Sequence, residues 1–340
     1  MKYISYKNLI KLLDVLKADY DVYVPVESGK QRFYKQYGDS ADNIVIGQVR
    51  AVEPLKSFFL RGREKVACDF KPDAPISLRP KAIVGVKACD LKGFKIQDHV
   101  FKDHDYEDPF YINARRNNLI ISADCTCTIE TCFCAALGVK PHPQEDFDIN
   151  LSQIDRGFVV KAGSDRGAGI IENNAALFKD ATKEMLAERD HLRDKVAQEV
   201  KANIKAADVP SEDVYKHIIE KGYESRIWQE EAENCVECGA CNTICPTCHC
   251  FLLYDQKNED SMARLRIWDS CMIKDFARVA GGANPRQKLW MRLRNRFEKK
   301  FDFFPKVADV YACTGCGRCI LACPAKIDIR KVLNKLVNNK

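Results

Sequence analysis

Two stretches near the C-terminal end carry the same spacing of one reactive residue type. NCVECGACNTICP holds Cys235, Cys238, Cys241 and Cys245 ahead of Pro246, and ACTGCGRCILACP holds Cys313, Cys316, Cys319 and Cys323 ahead of Pro324. Both read C-x-x-C-x-x-C-x-x-x-C-P, a spacing whose thiolates wrap a [4Fe–4S] cubane. Three cysteines separated by two residues reach successive iron corners. The small residues Gly239, Ala240, Gly315 and Gly317 let the chain turn tightly between them. In chains with two such runs the fourth cysteine of each ligates the other cluster. The spacing therefore predicts one cluster on Cys235, Cys238, Cys241 and Cys323, and a second on Cys313, Cys316, Cys319 and Cys245. Two zinc sites would use paired C-x-x-C arms and would need neither the third cysteine nor the Cys-Pro.

A third group of cysteines is less regular. ADCTCTIETCFC, residues 123–134, contains Cys125, Cys127, Cys132 and Cys134, and VKACDLKGF contains Cys89. Cys89 follows the apolar run KAIVGV, and Cys125 follows NNLIIS. If those runs are neighbouring parallel strands, their following loops lie side by side. Cys89, Cys125, Cys132 and Cys134 could then close on a third [4Fe–4S] cluster. Spacing alone leaves open a zinc site or a set of buried free thiols, since cysteine also packs as a small hydrophobe.

The elements that must hold these residues follow from the rest of the 340-residue chain, a length that suits about two domains. Residues 1–170 read as an α/β domain. Leu9, Ile10, Leu12, Leu13 and Leu16 share a helical face, and DVYVPVES, KAIVGVKACD, NNLIISADC and RGFVVKAGS read as strands. Residues 171–225 read as a helical connector, rich in Ala, Glu, Lys and Leu. A further helix starts after Pro210 and Ser211. Residues 226–340 read as an α-helical ferredoxin domain with two clusters, because the insert 251–312 looks mostly helical and basic.

Composition sets the chemistry. Seventeen cysteines in a chain with 46% hydrophobic and 30% charged residues describe a globular protein large enough to fold without disulfide staples. No run reaches the roughly 18 apolar residues of a membrane span, and the start lacks the form of a signal peptide. A cytoplasmic location is expected, where clustered cysteines bind metal. The formal charge of +6 counts cysteines as neutral. A [4Fe–4S] core with four thiolates carries about −2, so two clusters bring the balance to about +2 and three to about zero. MRLRNRFEKK, residues 291–300, reads as a solvated helix face or as a docking surface for an acidic carrier.

Other residues carry weaker signals. Cys248, Cys250 and Cys271, with His249, could form a further redox or metal site or pack beside the clusters. Asp269 or Ser270 could cap a helix. Cys68 reads as structural, and His99 and His104 as surface residues. GSDRGAG, residues 163–169, reads as a turn. No G-x-G-x-x-G follows a strand and there is no Walker lysine, so a nucleotide or flavin would belong to a partner.

VGVKACDLKGF, YINARRNN, ADCTCTIETCFCAALG, CPTCHCF, RIWDSC, NPRQKLWMRLRNRF and CTGCGRCILACP occur in that order across residues 80–330. This series resembles the electron-transferring iron–sulfur subunit of anaerobic sulfite reductase and the beta subunit of soluble sulfhydrogenases, with relatives among iron–sulfur subunits of flavin oxidoreductases that feed heterodisulfide reductase. The resemblance implies an electron-transfer subunit in anaerobic metabolism, not catalytic alone. It would pass single electrons between a partner binding flavin and NAD(P)H and a terminal reductase, hydrogenase or heterodisulfide reductase subunit. It also supports Cys89, Cys125, Cys132 and Cys134 as third-cluster ligands. Cys127 stands where the family often has proline, and it competes with Cys125. Two other readings remain: a subunit with its own sulfur-reducing site at the N-terminal cluster, and a structural iron–sulfur or zinc protein that binds nucleic acid through residues 286–300. The absence of interleaved aromatic platforms speaks against the second.

Overall fold

The apolar spacing of YKNLIKLLDVL makes one face of a helix, and in the computed structural model the helix Tyr6–Leu16 buries Leu9, Leu12, Leu13 and Leu16. Ser5 caps it, the Asn8 amide donating to its hydroxyl at 3.3 Å. The structure describes residues 1–38, 43–73, 79–103, 105–257 and 261–338. His104 lies outside the described residues. None of their helices is long and apolar enough to cross a membrane.

Twelve strands occur among the described residues: β1 (Lys2–Ser5), β2 (Asp21–Ser28), β3 (Gln31–Gln36), β4 (Arg63–Cys68), β5 (Lys71–Pro72), β6 (Lys81–Val86), β7 (Leu119–Ala123), β8 (Ile149–Ile154), β9 (Gly157–Ala162), β10 (Lys179–Asp180), β11 (Phe251–Lys257) and β12 (Met262–Trp268). Eight form one sheet in the order β10-β1-β9-β8-β7-β6-β2-β3. Its centre is parallel: β2 pairs with β6, β6 with β7, and β7 with β8. KAIVGV and LIISA are continuous apolar runs because both faces of these central strands are covered. Val84 and Ile121 face the helix Tyr6–Leu16. Ile83, Val86 and Ile120 pack on the other side with Leu91 and Phe94 of the helix Ala88–Phe101.

The smaller sheet, β11-β12-β4-β5, joins distant parts of the chain. β12 pairs with β4 across roughly 200 residues, Arg266 opposite Glu64. Arg266 also bonds Asp108, so a buried cation with two acids fixes the junction. Here the expectation of a helical insert is corrected. Residues 251–268 form a hairpin, because their partner is β4, and Leu, Met and Arg are helix formers only when no such partner overrides them. Asp269 and Ser270 hold a turn instead of capping a helix: the Ser270 amide donates to Asp269 Oδ1 at 2.7 Å and the Met272 amide to Ser270 Oγ at 3.2 Å.

The Ala-, Glu-, Lys- and Leu-rich stretch forms the helix Lys183–Ala206, capped by Thr182, and the helix Glu212–Lys221 follows just after Ser211. GSDRGAG is not a turn. It opens the helix Asp165–Asn173, whose cap Ser164 accepts from the Gly167 amide at 3.1 Å. Arg166 bonds Asp148 at 2.8 Å and secures that helix. A separate C-terminal core forms around Trp228, Phe297, Phe301 and Leu333. Phe133 and Leu137, from the cysteine-rich loop after β7, are buried in this same core.

Candidate metal centres

The short helices Ala240–Thr243 and Arg318–Ala322 each start at a glycine in left-handed backbone, Gly239 at φ +71° and Gly317 at φ +70°. These turns sit inside the repeated runs, where a β-carbon would strain the backbone. Cys235, Cys238, Cys241 and Cys323 line one cavity, together with Cys319 and an apolar wall that includes Met272, Leu293 and Phe297. Burial pushes the Cys241 thiol up to about 12, against the pull of Arg296. Cys313, Cys319 and Cys245 are mutual electrostatic neighbours, and Cys316 neighbours Cys319. Burial pushes Cys313 up to about 12 as well. The structure thus brings the cysteines of the two runs together, with Cys319 close to members of both sets.

The third set also meets. β6 and β7 are adjacent and parallel, so the segments that follow them emerge side by side. Cys89 lies in the first turn of the helix Ala88–Phe101 rather than on the strand end itself. Cys89, Cys125, Cys132 and Cys134 line a single cavity with Cys127, Cys316 and Arg50. Burial raises the Cys125 thiol to about 12 and raises Cys134 further still. Such thiols give up their protons only to a cation or metal that holds the thiolate.

The third cavity and the second crossed set are built against each other. Gly315 at φ +64° lies so close to Cys134 that a β-carbon there would sit 2.5 Å from Cys134 Cα. The Phe133 amide donates to the Gly315 carbonyl at 2.9 Å. Arg50 donates to the Cys316 carbonyl. Arg318 pairs with Asp90, next to Cys89, at 2.8 Å, with both side chains almost completely buried. The helix that carries Cys89 also touches the first run, Gln97 donating to the Pro246 carbonyl at 2.9 Å.

Buried cations surround these thiols, and sequence reasoning missed them. Lys300 is 3% exposed and donates to Cys245 Sγ at 3.3 Å, Thr247 Oγ1 at 3.1 Å and the Ala312 carbonyl at 2.9 Å. Burial opposes its charge, but the neighbouring Cys245 and Cys248 sulfurs outweigh burial and hold the ammonium well above its ordinary range. Arg296 is 5% exposed and faces Cys241 and Cys319. Lys87 donates to the Ile46 and Asp124 carbonyls at 2.6 and 3.1 Å. Burial pushes its ammonium down despite the nearby Cys125 sulfur. The reading of residues 291–300 as a solvated or docking face is therefore corrected, since Arg292, Arg294, Arg296 and Lys300 all turn inward. The available signal was the apolar spacing Leu293, Phe297, Phe301, which marks a packed helix.

Cys248 and Cys250 line one cavity but meet different sulfurs. Cys248 donates its S–H to Cys245, which lies well below the usual thiol range for that reason. Cys271 donates to Cys250 in the same way, and Cys250 is pushed down to about 6. No three His, Cys, Asp or Glu side chains among the described residues converge where a single metal ion could sit. Four thiols spread around a cavity wall suit a four-iron core, whose thiolates attach at separate corners, better than one tetrahedral ion.

A family model described as a 4Fe-4S dicluster domain matches residues 234–327, the span of both repeated runs. Over 318 residues the chain is 32% identical to sulfhydrogenase 2 subunit beta of Pyrococcus furiosus, covering 93% of this chain and 92% of that protein. The likeness extends through the α/β part and the third cysteine group as well as the dicluster domain. With its dicluster domain and this near full-length similarity, the chain belongs to the family of sulfhydrogenase beta subunits, iron–sulfur electron-transfer subunits of oxidoreductases.

Proposed function

We propose that the chain binds three [4Fe–4S] clusters and serves as the electron wire between a flavin- and NAD(P)H-binding partner and a terminal catalytic subunit. The ligand sets are Cys235, Cys238, Cys241 and Cys323; Cys313, Cys316, Cys319 and Cys245; and Cys89, Cys125, Cys132 and Cys134. When bound, each cluster supplies a one-electron carrier. The chain's own residues supply the rest. Thiolates hold the irons, and Arg50, Arg296, Arg318 and Lys300 offset the buried negative charge. Apolar walls shield much of each centre, although Cys238 of the first set is exposed.

The observation that carries this reading is the direct seating of Gly315 on Cys134. The loop of one crossed set forms part of the wall of the third cavity, which Cys316 also lines. That contact packs the third cavity directly against the second set, which supports carriers close enough to exchange electrons. The sequence carries no G-x-G-x-x-G after a strand and no Walker lysine, and the relative's name describes it as a subunit, which supports a partner for hydride chemistry.

The test is optical and needs no terminal acceptor. The anaerobically purified chain is mixed with NAD(P)H, alone and with its flavin-binding partner. The reading expects cluster absorbance to bleach only in the mixture. Bleaching of the isolated chain by NAD(P)H, or none in a mixture whose flavin is reduced, would overturn it.

A further inference from the structure

Two thiols outside the three ligand sets face each other at the foot of the β11–β12 hairpin. Cys250 immediately precedes β11, and its carbonyl accepts from the Asp269 amide at 2.9 Å, so Cys250 sits opposite Asp269, two residues before Cys271. The Cys271 thiol hydrogen-bonds the Cys250 sulfur. Cys271 is buried, whereas Cys250 is half-buried and lines a cavity with Lys56, His249, Trp268 and Asp269. Lys299 and Lys56 place positive charge near Cys250, opposed by the Asp269 carboxylate in the same cavity. The Lys56 ammonium is held by the Asn242 and Cys248 carbonyls, at 3.2 and 2.8 Å, and not by a carboxylate. On the far side Asn242 donates to Cys271 Sγ at 2.9 Å, and Asn242 is the residue after Cys241. The pair therefore spans from a small cavity at the foot of the hairpin to the residue that follows a candidate cluster ligand.

We propose that Cys250 and Cys271 form a redox-active dithiol that reduces a small organic disulfide. The proposal rests on the electron-wire reading for its supply of electrons. The Cys250 thiolate attacks one sulfur of the substrate R–S–S–R, forming a mixed disulfide and releasing one thiolate RS⁻. The Cys271 sulfur then attacks Cys250, its proton going to solvent. The Cys250–Cys271 disulfide forms, and a second RS⁻ leaves. The substrate gains two electrons and the pair loses two, so this half balances. Two electrons from the iron–sulfur carriers and one proton from solvent restore the Cys250 thiolate and the Cys271 thiol. The division of labour follows from the charges: the attacking thiolate faces the cavity and the cations, while the resolving thiol sits behind it.

The test uses the anaerobically purified full chain with bis(hydroxyethyl) disulfide as the probe, followed by alkylation, digestion and mass spectrometry. Wild type should give a joined Cys250–Cys271 peptide pair. Cys271→Ser should trap the hydroxyethylthio group on Cys250, and Cys250→Ser should give neither product. In controlled-potential reduction, oxidised wild type should take up two more electrons per chain than Cys250→Ser. A label on Cys68 with none on Cys250 would overturn the proposal. A joined pair without the two extra electrons would overturn its connection to the carriers. Iron is counted on the same samples: a chain low in iron contradicts the cluster reading, while the adducts still decide the fate of the pair.

Discussion

Lys300 offers the sharpest handle on the buried charges. Its ammonium lies 3.3 Å from Cys245 Sγ, in a site almost closed to solvent. An added electron on a cluster held by Cys245 would be spread over the core, at roughly 6 Å from Nζ. At an effective dielectric of about 20 the attraction is then about 3 kcal/mol. For one electron, 59 mV corresponds to about 1.4 kcal/mol, so the cation raises the reduction potential by up to ~120 mV. Arg296 stays in place and shares part of this field. Lys300→Met should therefore lower the potential of one cluster by on the order of 50–120 mV, the others shifting less. The assay is an EPR-monitored redox titration of wild type and variant, with iron counted in both. A variant that keeps its iron and titrates within ~20 mV of wild type would refute the assignment of Lys300 to charge compensation at that centre.

Other perturbations test the seams of the molecule. Arg318→Leu strands the Asp90 carboxylate in the interior and should destabilise the chain by about 3–5 kcal/mol, read by denaturant unfolding under anaerobic conditions. Gly315→Ala puts a β-carbon into the Cys134 backbone at a left-handed residue. It should cost roughly 1–3 kcal/mol from backbone strain alone and lower the iron bound, whereas Gly29→Ala, with open space around it, should leave iron unchanged. Burial holds the His249 imidazole down to about 4. Its unfolded value is near 6.5, so its contribution is complete above about pH 6.5 and is lost as pH falls towards 4. Between pH 7 and pH 5 wild type should lose about 2 kcal/mol more stability than His249→Phe, measured by denaturant midpoints.

Much of the site was legible because its signals are local. The two repeated runs announce their turns through glycine and their metal through cysteine spacing. The continuous apolar runs of β6 and β7 told of parallel central strands, and so of Cys89 and Cys125 emerging together. What escaped depends on contacts made at a distance. β11 and β12 carry residues that suit a helix equally well, and only β4, far away in sequence, makes them a hairpin. The helix Asp165–Asn173 contains two glycines that argue against it; the Ser164 cap and the Arg166–Asp148 bond override that cost. The cations of residues 291–300 read as a solvated face because a sequence shows the charge of a side chain and not what it meets. Their thiol neighbours become visible only once Cys241, Cys245 and Cys319 are placed beside Arg296 and Lys300.

The most direct test of the three-cluster account is the count of iron and acid-labile sulfide per chain on protein purified without oxygen. The account predicts about twelve of each, falling to about eight in Cys134→Ser. About eight of each in wild type, unchanged by Cys134→Ser, would contradict it and leave the loop 123–134 a packing element of the C-terminal core.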